Sequence, residues 1–370
     1  MREKKAGRIT LLIAFVLIIC LSNFIWFFTK KYADSSNNEN RKLAAKPSLS
    51  VDSYETFPKD YTAYFNDHLQ FRNDLVTLNT EIDYFVYNKS TIEKVIVGGN
   101  NWLFYARVDD GDPISCYHGT NLFNDEELQA LTANCIRQRD FLAEQGKEFV
   151  IFIAPNKERM YSEYMPYYYG QPAPNYRALQ VYQYLKANTD LRVIYPYDEL
   201  MQAKNDAGVN IYFKTDTHWN NIGAYVGARS LCKELGIEMP SLTSEEITIV
   251  KGNHISGDLA QMLNLKKQLE FADYRYSIVG YDTHNMETIK SNNSEAYIYH
   301  ATDADPRKIY IIRDSFSSAM APYIGSQFTD SYLRHINSYS YENLVEQNPD
   351  IVVYETVERY VGGLMGFSIQ

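Results

Sequence analysis

The sequence predicts an α/β fold built on a mostly parallel sheet. Two observations carry that prediction. From residue 124 onward, stretches of helical length and amphipathic pattern alternate with short apolar runs. The runs "FVIFIAP", "RKIYIIRD" and "PDIVVYE" read as strands buried in a core. Helix and apolar strand in alternation mark units whose strands lie parallel, with helices covering the sheet.

Each element has its own justification. "FRNDLVTLNTEIDYF" places Phe71, Leu75, Leu78, Ile82 and Phe85 at helical spacing. "KVIVGGNNWLFY", residues 94–105, reads as strand, Gly-Gly-Asn-Asn turn and second strand. A helix then opens at Asn124, with Glu127 three residues on forming a capping box, and closes at Gly146. "FVIFIAP" is a strand, "YRALQVYQYLKAN" a helix, "LRVIYP" a strand and "VNIYF" a further strand. "IGAYVGARSLCKELG" is a helix with Ile222, Tyr225, Val226, Leu231 and Leu235 on one face. "RKIYIIRD", the helix-like "FSSAMAPYIG" and "PDIVVYE" close the domain, and residues 240–306 show the least pattern.

The first thirty residues differ from the rest. A basic start, with Arg2, Lys4, Lys5 and Arg8, precedes the nearly charge-free run of residues 9–28. Twenty apolar residues match a bilayer-spanning helix, and no small-residue cleavage site follows Phe28. Residues 1–31 are therefore expected to be a cytoplasmic start and uncleaved signal anchor in the cell membrane, with the bulk of the chain extracellular. Residues 32–60 read as an extracellular linker, and residues 61–370 as the folded domain, in which 61–105 supply an N-terminal helix and hairpin. Over 370 residues, 45% of them hydrophobic, the formal charge is −10, so the chain is not built to neutralise nucleic-acid phosphate. Cys116, Cys135 and Cys232 remain outside the anchor; three cysteines do not make a disulfide scaffold, although Cys116 and Cys135 could pair.

Two places stand at predicted strand ends, where open α/β sheets gather their sites. In "KTDTHWNNIG", residues 214–223, Asp216 and His218 lie two apart directly after "VNIYF". In "IYIIRDSFSS", a strand delivers Ser315 to a predicted helix start. A serine hydroxyl needs a base, histidine serves near neutral pH, and a carboxylate fixes its tautomer. Asp216 can reach the His218 ring only if the backbone bends. Lys157 and Tyr161, after another strand end, are candidates to line the cleft. Trp219 is expected beside the histidine, with a flat face for a sugar as the alternative. A metal reading with Asp216, His218 and His254 leaves Ser315 unexplained and has no recognisable ligand spacing.

"RDSFS" resembles the serine block of the SGNH hydrolase superfamily, with Arg313 where glycine is usual. "TDTHW" resembles the Asp-x-His block of its alginate O-acetyltransferase-like (AlgX/AlgJ) and DHHW-type branch, in which that block precedes the serine, as here. "YFNDHLQFRNDL", "VIVGGNNWLFY", "APNKERMYSEYMP", "SGDLAQML" and "NPDIVVYETVERY" extend the resemblance along the exported part. It implies a three-layer SGNH-like fold with permuted motif order, preceded by the transmembrane helix. It implies Ser315 as nucleophile, His218 as base and Asp216 as its orienting partner. It also implies O-acetyl transfer to a secreted or cell-envelope polysaccharide, with acetyl supplied by a membrane-bound O-acyltransferase and no cofactor. Asn253 and Gly257 are the candidate oxyanion donors. An esterase with the same triad, or a silent polymer-binding protein in which Arg313 narrows the oxyanion site, are the alternatives.

Overall fold

The computed structural model describes residues 9, 10, 12, 13, 15–17, 43–50, 53–68, 72–90 and 92–370. The expected anchor, residues 9–28, lies largely outside the described residues, as does part of the linker. Among the described residues, no helix is long and apolar enough to cross a membrane. The chain divides into two compact units, residues 1–91 with 261–265, and residues 92–260 with 266–370. The first holds helices α1 (Phe57–Asp67) and α2 (Arg72–Phe85). On α2, Leu75, Leu78, Ile82 and Phe85 are exposed, while Thr80 and Tyr84 are buried.

The second unit opens with an antiparallel hairpin, β1 (Val95–Val97) against β2 (Leu103–Tyr105). Asn100 and Asn101 take positive φ in its turn, a conformation asparagine tolerates better than most residues. Helix α3 (Pro113–His118) follows, then α4 (Asp125–Ala143), whose N-terminus carries the reciprocal Asn124–Glu127 capping box. Next come β3 (Glu148–Ala154), the one-turn α5 (Lys157–Met160), α6 (Arg177–Asn188), β4 (Arg192–Ile194), α7 (Tyr197–Asp206) and α8 (Asn221–Glu234). The stretch with least sequence pattern supplies β5 (Thr248–Ile255), α9 (Asp258–Met262), β6 (Asp273–Val279), β7 (Glu287–Ser291) and β8 (Ala296–His300). The chain ends with β9 (Asp305–Arg313), α10 (Ser317–Gly325), β10 (Phe328–His335), α11 (Tyr341–Gln347), β11 (Ile351–Val357) and a 3-10 helix, Glu358–Met365.

The main sheet has the order β4-β3-β11-β9-β10-β8-β7. The first five strands run parallel, and β8 and β7 add an antiparallel edge. A strand presents alternate side chains to opposite faces, and here both faces are apolar. Val150, Phe152, Ile309, Ile311, Ile351 and Val353 enter the core beneath α8 and α10. Phe149, Ile151, Tyr310, Ile312, Val352 and Tyr354 enter the opposite core, beneath α4 and α6. The result is three layers, with the sheet between two sets of helices.

One predicted strand is absent. "VNIYF" forms no ladder; its pairing is a single isolated bridge, Tyr212 with Trp219. Its backbone groups pair with side chains and with the backbone of the loop that follows, instead of with a neighbouring strand.

Candidate active site

The loop of residues 211–219 is held by four side chains from outside it. The Tyr161 hydroxyl accepts the Ile211 N–H (2.9 Å). Asp273 accepts the N–H groups of Lys214 (2.7 Å) and Thr215 (2.8 Å) and the Thr215 hydroxyl (2.6 Å). Asp258 accepts the Thr217 N–H (2.8 Å) and hydroxyl (2.7 Å). The Lys157 ammonium donates to the carbonyls of Phe213 (3.2 Å), Lys214 (3.2 Å) and Asp216 (2.5 Å), which uses all three of its hydrogens. Within the loop, Phe213 N–H donates to the His218 carbonyl (3.2 Å) and Asn220 N–H to that of Ile211 (3.0 Å). Asn220 then caps α8.

This bend does what a straight strand cannot. Asp216 Oδ1 lies 2.6 Å from His218 Nδ1 and also accepts the His218 N–H (3.1 Å). Its other oxygen accepts the Asp258 N–H (3.0 Å). His218 Nε2 lies 2.7 Å from Ser315 Oγ. The three residues thus form one hydrogen-bonded line across 97 residues of chain.

Ser315 sits in the turn after β9, two residues before α10 begins, rather than at the first helical position. Asp314 sets that turn. Its N–H donates to Glu355 (2.9 Å), one oxygen accepts the Phe316 N–H (2.8 Å), and the other accepts the Val357 N–H (2.7 Å). A staple joins the serine and histidine segments: Trp219 Nε1–H donates to the Phe316 carbonyl (2.9 Å), with the rings edge to face at 5.2 Å. The Phe316 ring also packs 4.8 Å from the His218 ring.

Electrostatics at the site oppose one another. Burial would raise the Asp216 carboxyl, but the His218 hydrogen bond and charge, with two backbone N–H groups, hold it down at about 2. Burial works against the His218 imidazolium, yet Asp216 and then Asp258 outweigh it and raise its pKa above the usual 6.5. Asp258 is raised, first by burial and then by the Asp216 charge. Glu355 is pushed well above the carboxylate range by burial and by Asp314.

Several candidate residues have other work than expected. Lys157 and Tyr161 are 1% and 2% exposed and face no cleft; both hold the loop. Trp219 is fully buried and offers no face to a sugar. Arg313 is also buried: its guanidinium bonds Asn293, Ser318 and the Asp314 carbonyl and stacks on Tyr297, which ties the β7–β8 turn to the start of α10 instead of narrowing an oxyanion site. The Gly257 N–H is engaged by Thr215 Oγ1 (3.0 Å), so it is no oxyanion donor. Gly257 serves close packing, since a Cβ there would stand 2.6 Å from Asp216 Cα. Asn253 is exposed at a register shift of β5, and no hydrogen bond ties it to the site. His254 is exposed too, its ring against Phe271 and Tyr274.

Asp258, Asp273, Asp314 and Arg359 were not singled out from sequence. Asp258 stood in the quoted "SGDLAQML", one residue past Gly257, where an acidic residue opening a helix was the available signal. Ligand-capable atoms of Asp216, His218 and Asp258 lie within 4.8 Å of one another. Both oxygens of each carboxylate, and His218 Nδ1, already have hydrogen-bond partners, so the group reads as a brace for the loop.

Comparison with known proteins places the chain in a family. The family model described as "SGNH hydrolase-like domain, acetyltransferase AlgX" matches residues 95–322. The chain is similar to the "Probable alginate O-acetylase AlgJ" of Pseudomonas syringae pv. tomato, 26% identical over 48% of this chain and 42% of that one. The protein of the same name from Pseudomonas fluorescens is 23% identical over 62% of this chain and 53% of that one. The chain thus spans about half the length of these relatives. Among solved structures it resembles Bacillus cereus PatB1, with TM-score 0.55 and 16% identity, covering 74% of this chain and 99% of that one; this likeness concerns the fold.

Proposed function

The chain belongs to the SGNH hydrolase-like family of the acetyltransferase AlgX, and from that premise we propose that it transfers acetyl groups to hydroxyls of a secreted or cell-envelope polysaccharide through an acyl-serine. The line Asp216–His218–Ser315, with separations of 2.6 and 2.7 Å, is the observation that carries this reading. Ser315 Oγ attacks the acetyl carbonyl while His218 Nε2 takes its proton, and Asp216 steadies the imidazolium. Collapse of the tetrahedral intermediate breaks the bond to the donor's leaving group, which His218 protonates. A sugar hydroxyl then attacks the acetyl-serine, giving its proton to His218, and the ester leaves as the proton returns to Ser315. The Phe316 N–H is engaged by Asp314, which leaves the N–H of Ser315 itself as the backbone donor at hand for the oxyanion.

In the same proposal, residues 9–28 anchor the protein in the cell membrane and its bulk lies outside, where a membrane-bound O-acyltransferase supplies acetyl. The similarity to relatives named as alginate O-acetylases supports a polysaccharide acceptor. The test is hydrolysis of p-nitrophenyl acetate, followed by acetate incorporation into a panel of envelope polymers. Ser315→Ala should abolish cleavage and His218→Ala nearly so, with a smaller remnant in Asp216→Asn. Equal cleavage by wild type and Ser315→Ala would refute the covalent mechanism. Serine-dependent cleavage with no polymer acetylated would make the protein an esterase. Protease added to intact cells should digest the domain; full protection would overturn the topology.

A further inference from the structure

Arg359 follows β11 on the 3-10 helix, at the same carboxyl end of the sheet as Ser315. Arg359 is 9% exposed, and a buried arginine ordinarily finds a carboxylate. Among the described residues no carboxylate lies within ion-pair distance of it. It is held by aromatic faces instead: Tyr360 at 5.0 Å, and Phe316 and Tyr105 each at 5.6 Å. Its Nη1 makes one long hydrogen bond, 3.4 Å, to Asn156, and its Nε is buried without a partner. Gly111 leaves room for the stem, since a Cβ there would approach Arg359 Cγ to 2.9 Å. The packing therefore holds a cation without a direct ion pair beside the residue that follows the nucleophile.

Phe316 connects that cation to the base. One ring lies 5.6 Å from the guanidinium and 4.8 Å from the His218 ring, which caps the distance between the two groups at about 10 Å. The other charges facing His218 are the carboxylates of Asp216 and Asp258, and both favour its protonation. Around Arg359 stand Asp314, Glu158 and Asp110. The carboxylate of Asp314 is engaged by the N–H groups of Phe316 and Val357, that of Glu158 by the Tyr105 N–H, and that of Asp110 by the hydroxyls of Tyr105 and Tyr360.

We propose that Arg359 is the charge counterweight to Asp216 and Asp258, a positioning residue that keeps the His218 imidazole unprotonated often enough to take the proton of Ser315. Asp216 orients the imidazole, and its charge together with that of Asp258 favours keeping the proton on. A fixed positive charge on the far side of Phe316 offsets part of that pull without competing for the hydrogen bond to Asp216. Burial strengthens the effect, because a unit charge at about 10 Å through an effective dielectric of about 20 moves a pKa by about one unit. Consistently, Arg359 acts on His218 in the direction opposite to both carboxylates.

The inference rests on His218 acting as base for Ser315, and its test separates the two. The full chain in detergent is assayed with p-nitrophenyl acetate across pH, with Ser315→Ala as the blank. Arg359→Met should move the acidic limb of kcat/KM upward by about one pH unit and leave the alkaline plateau within a few-fold. Arg359→Lys should keep the limb near its original place. A limb that stays put in Arg359→Met, or that moves as far in Arg359→Lys, overturns the counterweight. If the methionine variant does not fold, Arg359→Gln takes its place. In either variant the His218 ring proton, followed by NMR in the Ser315→Ala background, should titrate about one unit higher than with Arg359 present, and an unchanged midpoint overturns the proposal. Because that readout needs no turnover, serine-independent cleavage would sink the nucleophile while leaving the counterweight testable.

Discussion

His218 stands between Asp216, Asp258 and Arg359, so its titration is set by the surroundings more than by its own chemistry. Its pKa is raised above 6.5, so serine-dependent cleavage should rise with pH through a midpoint above that value, and a midpoint below 6 in the pH profile would contradict this. The same pair contributes to stability with opposite signs at its two ends. Asp216, at about 2 against an ordinary 3.8, adds stability that is present above the higher value and lost as pH falls through the lower. His218, raised above 6.5, adds stability below that pH and loses it as pH climbs past its folded value. Urea unfolding of Asp216→Asn should therefore show its largest loss between roughly pH 4 and 6.5, of about 1–2 kcal/mol because both groups are partly exposed. Asp258→Ala removes the acceptor of the Thr217 N–H and hydroxyl. Turnover should fall about 10- to 100-fold, the equivalent of about 1–3 kcal/mol for a buried donor left unmet. Turnover unchanged in Asp258→Ala would show that the loop keeps its bend without this brace.

At the scale of elements, the site is two loops fastened to a sheet. The 211–219 loop has no strand partner, so its stability depends on a few buried side chains. Lys157→Met would leave the Phe213 and Asp216 carbonyls without a donor, while that of Lys214 keeps the Leu103 N–H (2.9 Å). The cost should be about 2–6 kcal/mol, at about 1–3 kcal/mol for each buried group left unsatisfied, and thermal melting should register it as a fall of several degrees or more. Trp219→Phe keeps an aromatic ring but orphans the Phe316 carbonyl. It should cost about 2 kcal/mol and also slow turnover, because the serine and histidine loops lose their direct bond. A stability loss with turnover intact would mean the sheet alone aligns the two loops.

At the scale of the molecule, two apolar cores flank the sheet and enclose Cys232 and Cys135, and Cys116 is buried beside them in the larger unit. Cys116, Cys135 and Cys232 are free, and Cys116 and Cys135 do not pair. Burial raises the first two thiols to about 11 and about 12 and Cys232 further still. These thiols should therefore resist Ellman's reagent in the native protein and react on unfolding, a slow labelling that tracks global stability. Rapid labelling of any of them in native buffer would contradict this packing.

The sequence by itself determined most of the second unit. Period and apolarity marked β3, β9, β11, α4, α8 and α10, because a helix or strand buried against a core must repeat its apolar residues at its own period. It also determined which residue types meet: a serine, a histidine and an aspartate at the carboxyl ends of strands. Tertiary structure decided what those neighbours do. "VNIYF" carries strand-like residues but has no ladder partner, and the residues directly after it are held as a loop by Lys157, Asp258 and Asp273, which take the backbone groups of Asp216, Thr217 and Lys214 from 41 to 59 residues away. Lys157, Tyr161, Trp219 and Gly257 belong near the site as expected, yet they hold it from behind, because burial and hydrogen-bond partners are properties of the assembled core and not of local sequence. Arg359 lies in the quoted "NPDIVVYETVERY", but nothing local marks its role; its place opposite His218 exists only once β11 lies beside β9 and the Phe316 ring closes between them.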